Sequence, residues 1–224
     1  MSRRPRFLGI AGPSCSGKSS LARYLAIHLP DGGAVLSLDA YYRDRADLEP
    51  ETRARLNFDD PEALDLELLD LHLERLAAGA AADRPLYNFA THRREPRTEI
   101  LAPRAWVVVE GLFALHWEGI RRRYLAAVFV EATEGVCFSR RLARDTTERG
   151  RSPDSVRAQF EAQVGPMTRR YVLPDRRYAD LVVDGSVPIE TIGAAVLAFL
   201  DSPPALLSGA GAEPPLTDER RAPC

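Results

Sequence analysis

The chain has 224 residues, 45% of them hydrophobic, which is enough to bury the core of one domain. Its 30 Lys and Arg against 32 Asp and Glu leave a formal charge of −2, so no global basic field draws it to nucleic acid or to an anionic membrane, and any anion has to be met locally. Three scattered cysteines, Cys15, Cys137 and Cys224, are too few for a disulfide framework or a zinc site and fit a reducing cytoplasm, and no stretch approaches the roughly 20 apolar residues that span a bilayer.

In chain order, the basic start Met1 to Arg6 runs into a glycine loop rather than a cleavage site, so it does not read as a signal peptide. Phe7 to Ala11 is a short apolar run ending in glycine, and Ser19 to Leu29 follows with helical spacing, which reads as strand, loop and helix. Pro30-Asp31-Gly32-Gly33 ends that helix, and Ala34 to Leu38 is a second apolar run stopping at Asp39. Asp60 and Pro61 predict the cap and first residue of a helix that carries Leu64, Leu68, Leu71 and Leu76 to the core and stops at Gly79. Trp106 to Val109 and Ala127 to Val130 are continuous apolar runs of the kind found in parallel strands covered on both faces. Thr133 to Glu148 reads as an arginine-rich helix, Ser152-Pro153 opens another, Ala179 to Val183 is a strand, and Pro188 to Leu200 is a last helix.

This alternation predicts an α/β fold, a doubly wound and mostly parallel sheet flanked by helices. We expect a single domain over residues 1–200, with a substrate insertion at about 41–100 and a small lid at about 140–165. The Pro, Gly, Ala and charged residues of 201–224 read as a disordered tail.

Gly12-Pro13-Ser14-Cys15-Ser16-Gly17-Lys18-Ser19, followed by Ser20, fits G-x-x-x-x-G-K-[ST] between a predicted strand and a predicted helix, the setting a phosphate-binding P-loop requires. Glycines let backbone amides converge on phosphate, the helix N-terminus adds its positive end, Lys18 reaches the β and γ oxygens, and Ser19 can ligate Mg²⁺. Of the 30 basic residues, 29 are arginine, and the single lysine falls in this loop, where a compact ammonium on a flexible stem is useful. With one lysine in the chain, the guanine-reading N-K-x-D segment of a nucleotide switch cannot exist.

Asp39 and Glu110 each follow an apolar run and so emerge at the carboxyl ends of strands, where open parallel sheets bind ligands. Phosphoryl transfer needs one acid to orient the attacking hydroxyl and acids to hold the metal, so both have work there.

With the loop, the segments Ser37-Leu38-Asp39-Ala40-Tyr41-Tyr42, Asn57-Phe58-Asp59-Asp60-Pro61, Pro85-Leu86-Tyr87-Asn88-Phe89, His92, Val109-Glu110-Gly111, Ser139 to Asp145, Glu148-Arg149-Gly150-Arg151 and Tyr178-Ala179-Asp180 make the chain resemble uridine/cytidine kinases, within the wider uridine kinase and phosphoribulokinase group. The likeness runs from about Gly9 to Asp184. It implies a P-loop kinase that transfers the ATP γ-phosphate to the 5′-hydroxyl of uridine or cytidine, with Mg²⁺, in the cytoplasm, with no nucleic-acid or membrane partner and as a homo-oligomer, a tetramer in many relatives. In that likeness Asp39 is the general base, and Ser19, Asp39 and Glu110 surround the metal. Asp59 and Arg141 hold the ribose diol, Tyr42 and Phe58 line the nucleoside pocket, Tyr87 and His92 read the pyrimidine edge, and Arg151 and Gln159 are further substrate contacts. Arg144 and Arg149 are lid arginines that work with Lys18 on the phosphates. A related acceptor, pantothenate or a sugar phosphate, is the alternative, and a non-catalytic nucleotide switch is a weaker one. Tyr41, Leu112 and Trp117 read as packing residues, and His28, His72 and His116 show no partner pattern.

Overall fold

The computed structural model describes residues 4–202. The chain enters as β1 (Arg6–Ala11), passes through the glycine loop into α1 (Lys18–His28) and returns as β2 (Gly33–Ser37). An excursion follows, built of α2 (Pro50–Ala54), α3 (Leu66–Ala77) and an antiparallel hairpin of β3 (Ala82–Asn88) and β4 (Arg93–Leu101). β5 (Trp106–Glu110), the short α4 (Glu118–Arg121) and β6 (Tyr124–Glu131) bring the chain back to the sheet. α5 (Glu134–Thr147), α6 (Pro153–Gln159) and the single turn α7 (Gly165–Met167) lead to β7 (Leu181–Asp184) and α8 (Ile189–Asp201). The tail expected from 201 lies, from residue 203 on, outside the described residues.

Five strands form one sheet in the order β2-β5-β1-β6-β7, with every pairing parallel. The apolar runs are explained by burial on both faces, and alternate residues sort to opposite sides. Leu8, Ile10, Val108 and Val128 pack with Leu21 and Leu25 of α1 and Val196 of α8. Phe7, Val107, Val109 and Phe129 pack with Leu69, Leu73 and Leu76 of α3. The sheet is therefore covered by helices on both sides, as the alternation predicts. Register then decides where chemistry can happen: Ile10 and Ser37 both pair with Glu110, so β1, β5 and β2 end at one level. The glycine loop, Glu110 and Asp39 leave the sheet side by side.

The segment before α3 departs from expectation. Asp60 does cap, accepting from the Glu62 amide at 2.9 Å, but only for the single turn Pro61–Ala63. Backbone groups here are used in pairing instead, with Arg43 N donating to Ala63 O and Asp65 N to Tyr41 O, so the chain is extended at Leu64. The helix starts at Leu66 under an Asp65 cap, and the later start turns its face: Leu69, His72, Leu73 and Leu76 point inward while Leu71 is 50% exposed. The β3–β4 hairpin was also not foreseen, because β4 carries charged and mostly exposed side chains on both faces and shows no apolar alternation. Arg94 anchors it, donating to the carbonyls of Tyr41 and Tyr42 and pairing with Asp65.

Beyond α6, two widened helical turns, Phe160–Val164 and Thr168–Val172, precede Pro166 and Pro174 in the helical path. Each proline lacks the amide that an α-turn needs, and a wider turn relieves the clash with the carbonyl four residues back.

Two glycines permit the contacts that shape the loop after β1. A Cβ on Gly12 (φ +152°) would lie 2.2 Å from Val130 O, and one on Gly185, just past β7, would lie 1.9 Å from Ser16 O. In both cases the nearest atom is a backbone oxygen, and for Gly185 it belongs to the loop itself, which would have to move. Gly185→Ala is expected to lower stability by about 1–3 kcal/mol, the usual range for overpacking. Chemical denaturation measures this, and an unchanged midpoint would show that the β7–α8 connection does not press on the loop.

Candidate active site

The loop 12–17 is held in shape from both sides. Cys15 (φ 64°) and Gly17 (φ 108°) adopt left-handed conformations that turn successive amides the same way. On the outside, Arg140 of α5 donates through Nη1 to Gly185 O at 2.9 Å and to Cys15 O and Ser16 O at 3.4 Å. Lys18 is nearly buried and donates to Pro13 O at 3.3 Å, folded back across its own loop. Ser16 Oγ is buried and has no partner among the described residues.

Ser19, the second residue of α1, donates through Oγ to Glu110 Oε2 at 2.9 Å across the sheet edge. Asp39 stands partly exposed in the same crevice. Its carboxyl is raised above the usual range, first by burial and then by the Glu110 charge, against the opposing pull of Lys18, Arg149 and Arg144. Two carboxylates that repel one another beside a hydroxyl make an oxygen-only donor set that fits Mg²⁺. The described residues contain no group of three or more His, Cys, Asp or Glu able to cage a metal. These groups would therefore supply part of a coordination sphere, as is usual where water and phosphate supply the rest.

Asp39 lies on the wall of a cavity of about 1370 Å³ that begins at Ser14, Lys18 and Ser19 and runs to an aromatic end. Single small-molecule sites are typically about 300–1,000 Å³, so this one has room for two ligands end to end. At the aromatic end, Tyr42 donates through its hydroxyl to Phe58 O at 3.0 Å, and the Phe58 and His92 rings stack at 4.6 Å. Tyr87 stands behind this wall, 5.2 Å from the Tyr42 ring, and its phenol is pushed up to about 12, mainly by burial and then by Asp44. His92 (φ 53°) is held below its ordinary value by burial and by Arg149, Arg53 and Arg151, which favours the neutral ring.

Between the two ends lie Asp59, Arg141 and the arginines of the segment 140–151. Asp59 is nearly buried, and its carboxyl is raised by burial more than Arg141 lowers it. Arg141 donates to Ser14 Oγ and to Gln159 Oε1, both at 3.2 Å, and Gln159 Oε1 also accepts from Arg151. Arg144, Arg149 and Arg151 surround the buried Asp145, and Arg149 also stacks on Phe89 at 5.0 Å. In all, seven basic side chains face the cavity against three acidic ones, a local positive field in a chain of net charge −2.

The structure thus brings the sequence-derived residues to one cavity, with Gly12, Pro13, Ser16 and Glu110 directly behind its wall and Tyr87 in a second layer. Sequence reasoning missed the lining made by Arg23, Phe89 and the 185–189 segment, while Leu112, expected to pack, is buried in the core and also borders the cavity. All three histidines without an evident partner have one: His28 Nδ1 with Tyr24 O at 2.8 Å, and His72 Nδ1 with the Tyr41 hydroxyl and His116 Nδ1 with Asp175, each at 3.0 Å.

A sequence model described as the phosphoribulokinase / uridine kinase family matches residues 7–192. A protein of Chloroflexus aurantiacus named uridine kinase is 41% identical over 91% of this chain and all of its own length. Another of that name from Deinococcus deserti is 43% identical over 80% of this chain and 87% of its own. A putative fructose transport system kinase from Silicibacter sp. TM1040 superposes with a TM-score of 0.68 at 20% identity, covering 81% of this chain and 91% of its own, which speaks for the fold.

The His92 ring gives a direct check on the electrostatics. Its titration midpoint should lie below about 6.5, read from the imidazole C2 proton by NMR in the ligand-free protein. Because the folded value is depressed, the stability contributed by the neutral ring is in place above the unfolded pKa and is lost as pH falls through the folded one. A midpoint at or above 6.5 would mean that the surrounding guanidiniums do not act on it.

Proposed function

Because the chain belongs to the phosphoribulokinase/uridine kinase family, we propose that it transfers the γ-phosphate of ATP to the 5′-hydroxyl of uridine or cytidine, giving the nucleoside monophosphate and ADP. The observation that carries this reading is the position of Asp39. It stands between the Lys18 loop and the Asp59–Arg141–His92 region of one continuous cavity.

Each part then has a chemical task. Amides of the loop and the ammonium of Lys18, released from Pro13 O, bind the β and γ oxygens. Ser19, Asp39 and Glu110 would hold Mg²⁺, which neutralises the same oxygens and supports the departure of ADP. Asp39 accepts the proton of the 5′-hydroxyl as its oxygen bonds to γ-phosphorus and the bond to the β–γ bridging oxygen breaks. Arg144 and Arg149 stabilise charge on the moving phosphoryl group. Asp59 accepts from the ribose hydroxyls and Arg141 donates to them, a pairing suited to a cis-diol. The base rests at the aromatic end, while the segment 185–189 and Arg23 flank the loop on its other side and would take the adenine.

The aromatic set Tyr42, Phe58, Phe89 and His92 favours a nucleobase over pantothenate or a sugar phosphate. Activity in the cytoplasm and assembly of several copies are part of the same proposal. Among the described residues no helix is long and apolar enough to cross a membrane.

A coupled ADP-release assay over uridine, cytidine, pantothenate and ribulose 5-phosphate with Mg-ATP should show turnover with the two nucleosides, and preference for ribulose 5-phosphate would overturn the assignment. Asp39→Asn should lower kcat by about 10²–10⁴-fold while the KM for ATP moves by less than about threefold, since the proton acceptor is lost and the phosphate cradle remains. His92→Ala should raise the nucleoside KM by about tenfold with little change for ATP, the cost of about 1.4 kcal/mol of base contact.

A further inference from the structure

Asp145 has no part in the transfer as drawn, yet it is the most enclosed charge in the cavity region, at 0% exposure. Its Oδ1 accepts from Arg144 Nε at 2.9 Å, with Nη2 of the same guanidinium at 2.8 Å and Arg149 Nη1 at 3.6 Å. Around Oδ2, Arg141 Nε stands at 3.5 Å and Arg151 Nη1 at 3.6 Å, so this oxygen has charge neighbours but no hydrogen bond among the described residues. Four guanidiniums thus converge on one carboxylate, and they keep their charge at any working pH.

Two features separate this cluster from an ion pair kept for stability. The i,i+4 pair with Arg141 would suffice to hold α5, whereas here the arginines come from α5 and from the turn that follows it. A structural carboxylate buried to this degree normally has both oxygens hydrogen-bonded. The incomplete capture leaves the arginines facing the cavity and able to exchange partners. Repulsion within the set is felt, since Arg149 is lowered by burial and then by Arg144.

We propose that Asp145 is a positioning residue: it holds Arg141, Arg144, Arg149 and Arg151 as one preassembled array, from which Arg144 and Arg149 shift from its carboxylate to phosphate oxygens when a polyphosphate enters. This rests on reading the cavity as a phosphoryl-transfer site. It carries an unusual sign. Asp145 competes with the ligand for the same guanidiniums, so it weakens ground-state binding, while the order it imposes favours the transition state. Loss of the charge should therefore move affinity and rate in opposite directions, which a loss of structure cannot do.

The test uses the full chain with Asp145→Asn, Arg144→Ala and the double variant. Thermal unfolding verifies the fold, calorimetry measures binding of a non-hydrolysable ATP analogue with Mg²⁺, and kinetics with uridine or cytidine give kcat. Asp145→Asn should bind the analogue more tightly than the parent, by about threefold to tenfold, while kcat falls by about tenfold or more, and unchanged affinity with lower kcat would overturn the proposal. On the Arg144→Ala background the same change should cost less than about threefold in kcat, because the two act as a unit. Weaker analogue binding together with lower kcat, or additive losses, would overturn the proposal. In the parent protein, the Arg144 Nε–H signal should shift when the analogue saturates, and a signal that does not move also overturns it, whatever the variants do. If no nucleoside is phosphorylated but the affinity gain and the Arg144 shift are seen, the array stands and the assigned acceptor falls. Normal turnover in Asp145→Asn would leave the acceptor standing and remove the array.

Discussion

Seven cationic side chains face one cavity in a chain of net charge −2, and keeping them there against their own repulsion is the constraint around which the site is built. Different parts meet it differently. The loop 12–17 uses backbone amides, whose direction is fixed by left-handed turns and by the close passage of Gly185, so part of the positive potential costs no ion at all. The segment 140–151 uses guanidiniums and must enclose a counter-charge among them. At the sheet edge the sign is reversed: Asp39 and Glu110 repel one another, and Lys18, Arg149 and Arg144 offset this only in part. The cavity therefore has a positive region and a negative pair side by side, an arrangement that favours a metal-bound polyphosphate over either ion alone.

The single lysine fits the same logic. A guanidinium binds in a planar fork and suits fixed partners such as Gly185 O or Asp145. Lys18 has to leave one oxygen, on Pro13, for others on a ligand, and an ammonium with three rotatable donors can do so with little demand on geometry. A chain that uses arginine at every other basic position retains the ammonium where the partner changes.

Much of this was legible because the key groups are contiguous in sequence or end a strand. The glycine loop announces itself between two elements of different period, and Asp39 and Glu110 each follow an uninterrupted apolar run. Register was beyond reach: that Ile10 and Ser37 both meet Glu110 is a property of strand order, which local pattern does not encode. The start of α3 was misplaced because Asp60-Pro61 is a genuine cap whose helix is cut short by pairing with Tyr41 and Arg43, a tertiary competition for the same backbone groups. The hairpin carries Arg and Glu where a strand usually alternates, so its period is hidden. Asp145 reads from sequence as half of an ordinary i,i+4 pair, and only the fold shows three further guanidiniums around it.

Contacts of Arg141 and Gln163 show how the two halves of the cavity are tied together. Arg141 reaches Ser14 in the loop and Gln159 in α6, while its charge acts on Asp59 at the nucleoside end. Gln163, one turn beyond α6, donates to Asn57 Oδ1 at 2.6 Å, and the same oxygen accepts the Asp59 amide at 3.1 Å. Any movement of the 140–165 segment would therefore pull on both Asp59 and the loop. On the proposed function, a nucleoside held by Asp59 would bear on Asn57 and, through Gln163, on the helical segment that presents Gln159 to Arg141 and Arg151. On that reading the arginines would be best placed when both substrates are present, which is the condition under which a kinase should transfer its phosphate to an alcohol rather than to water.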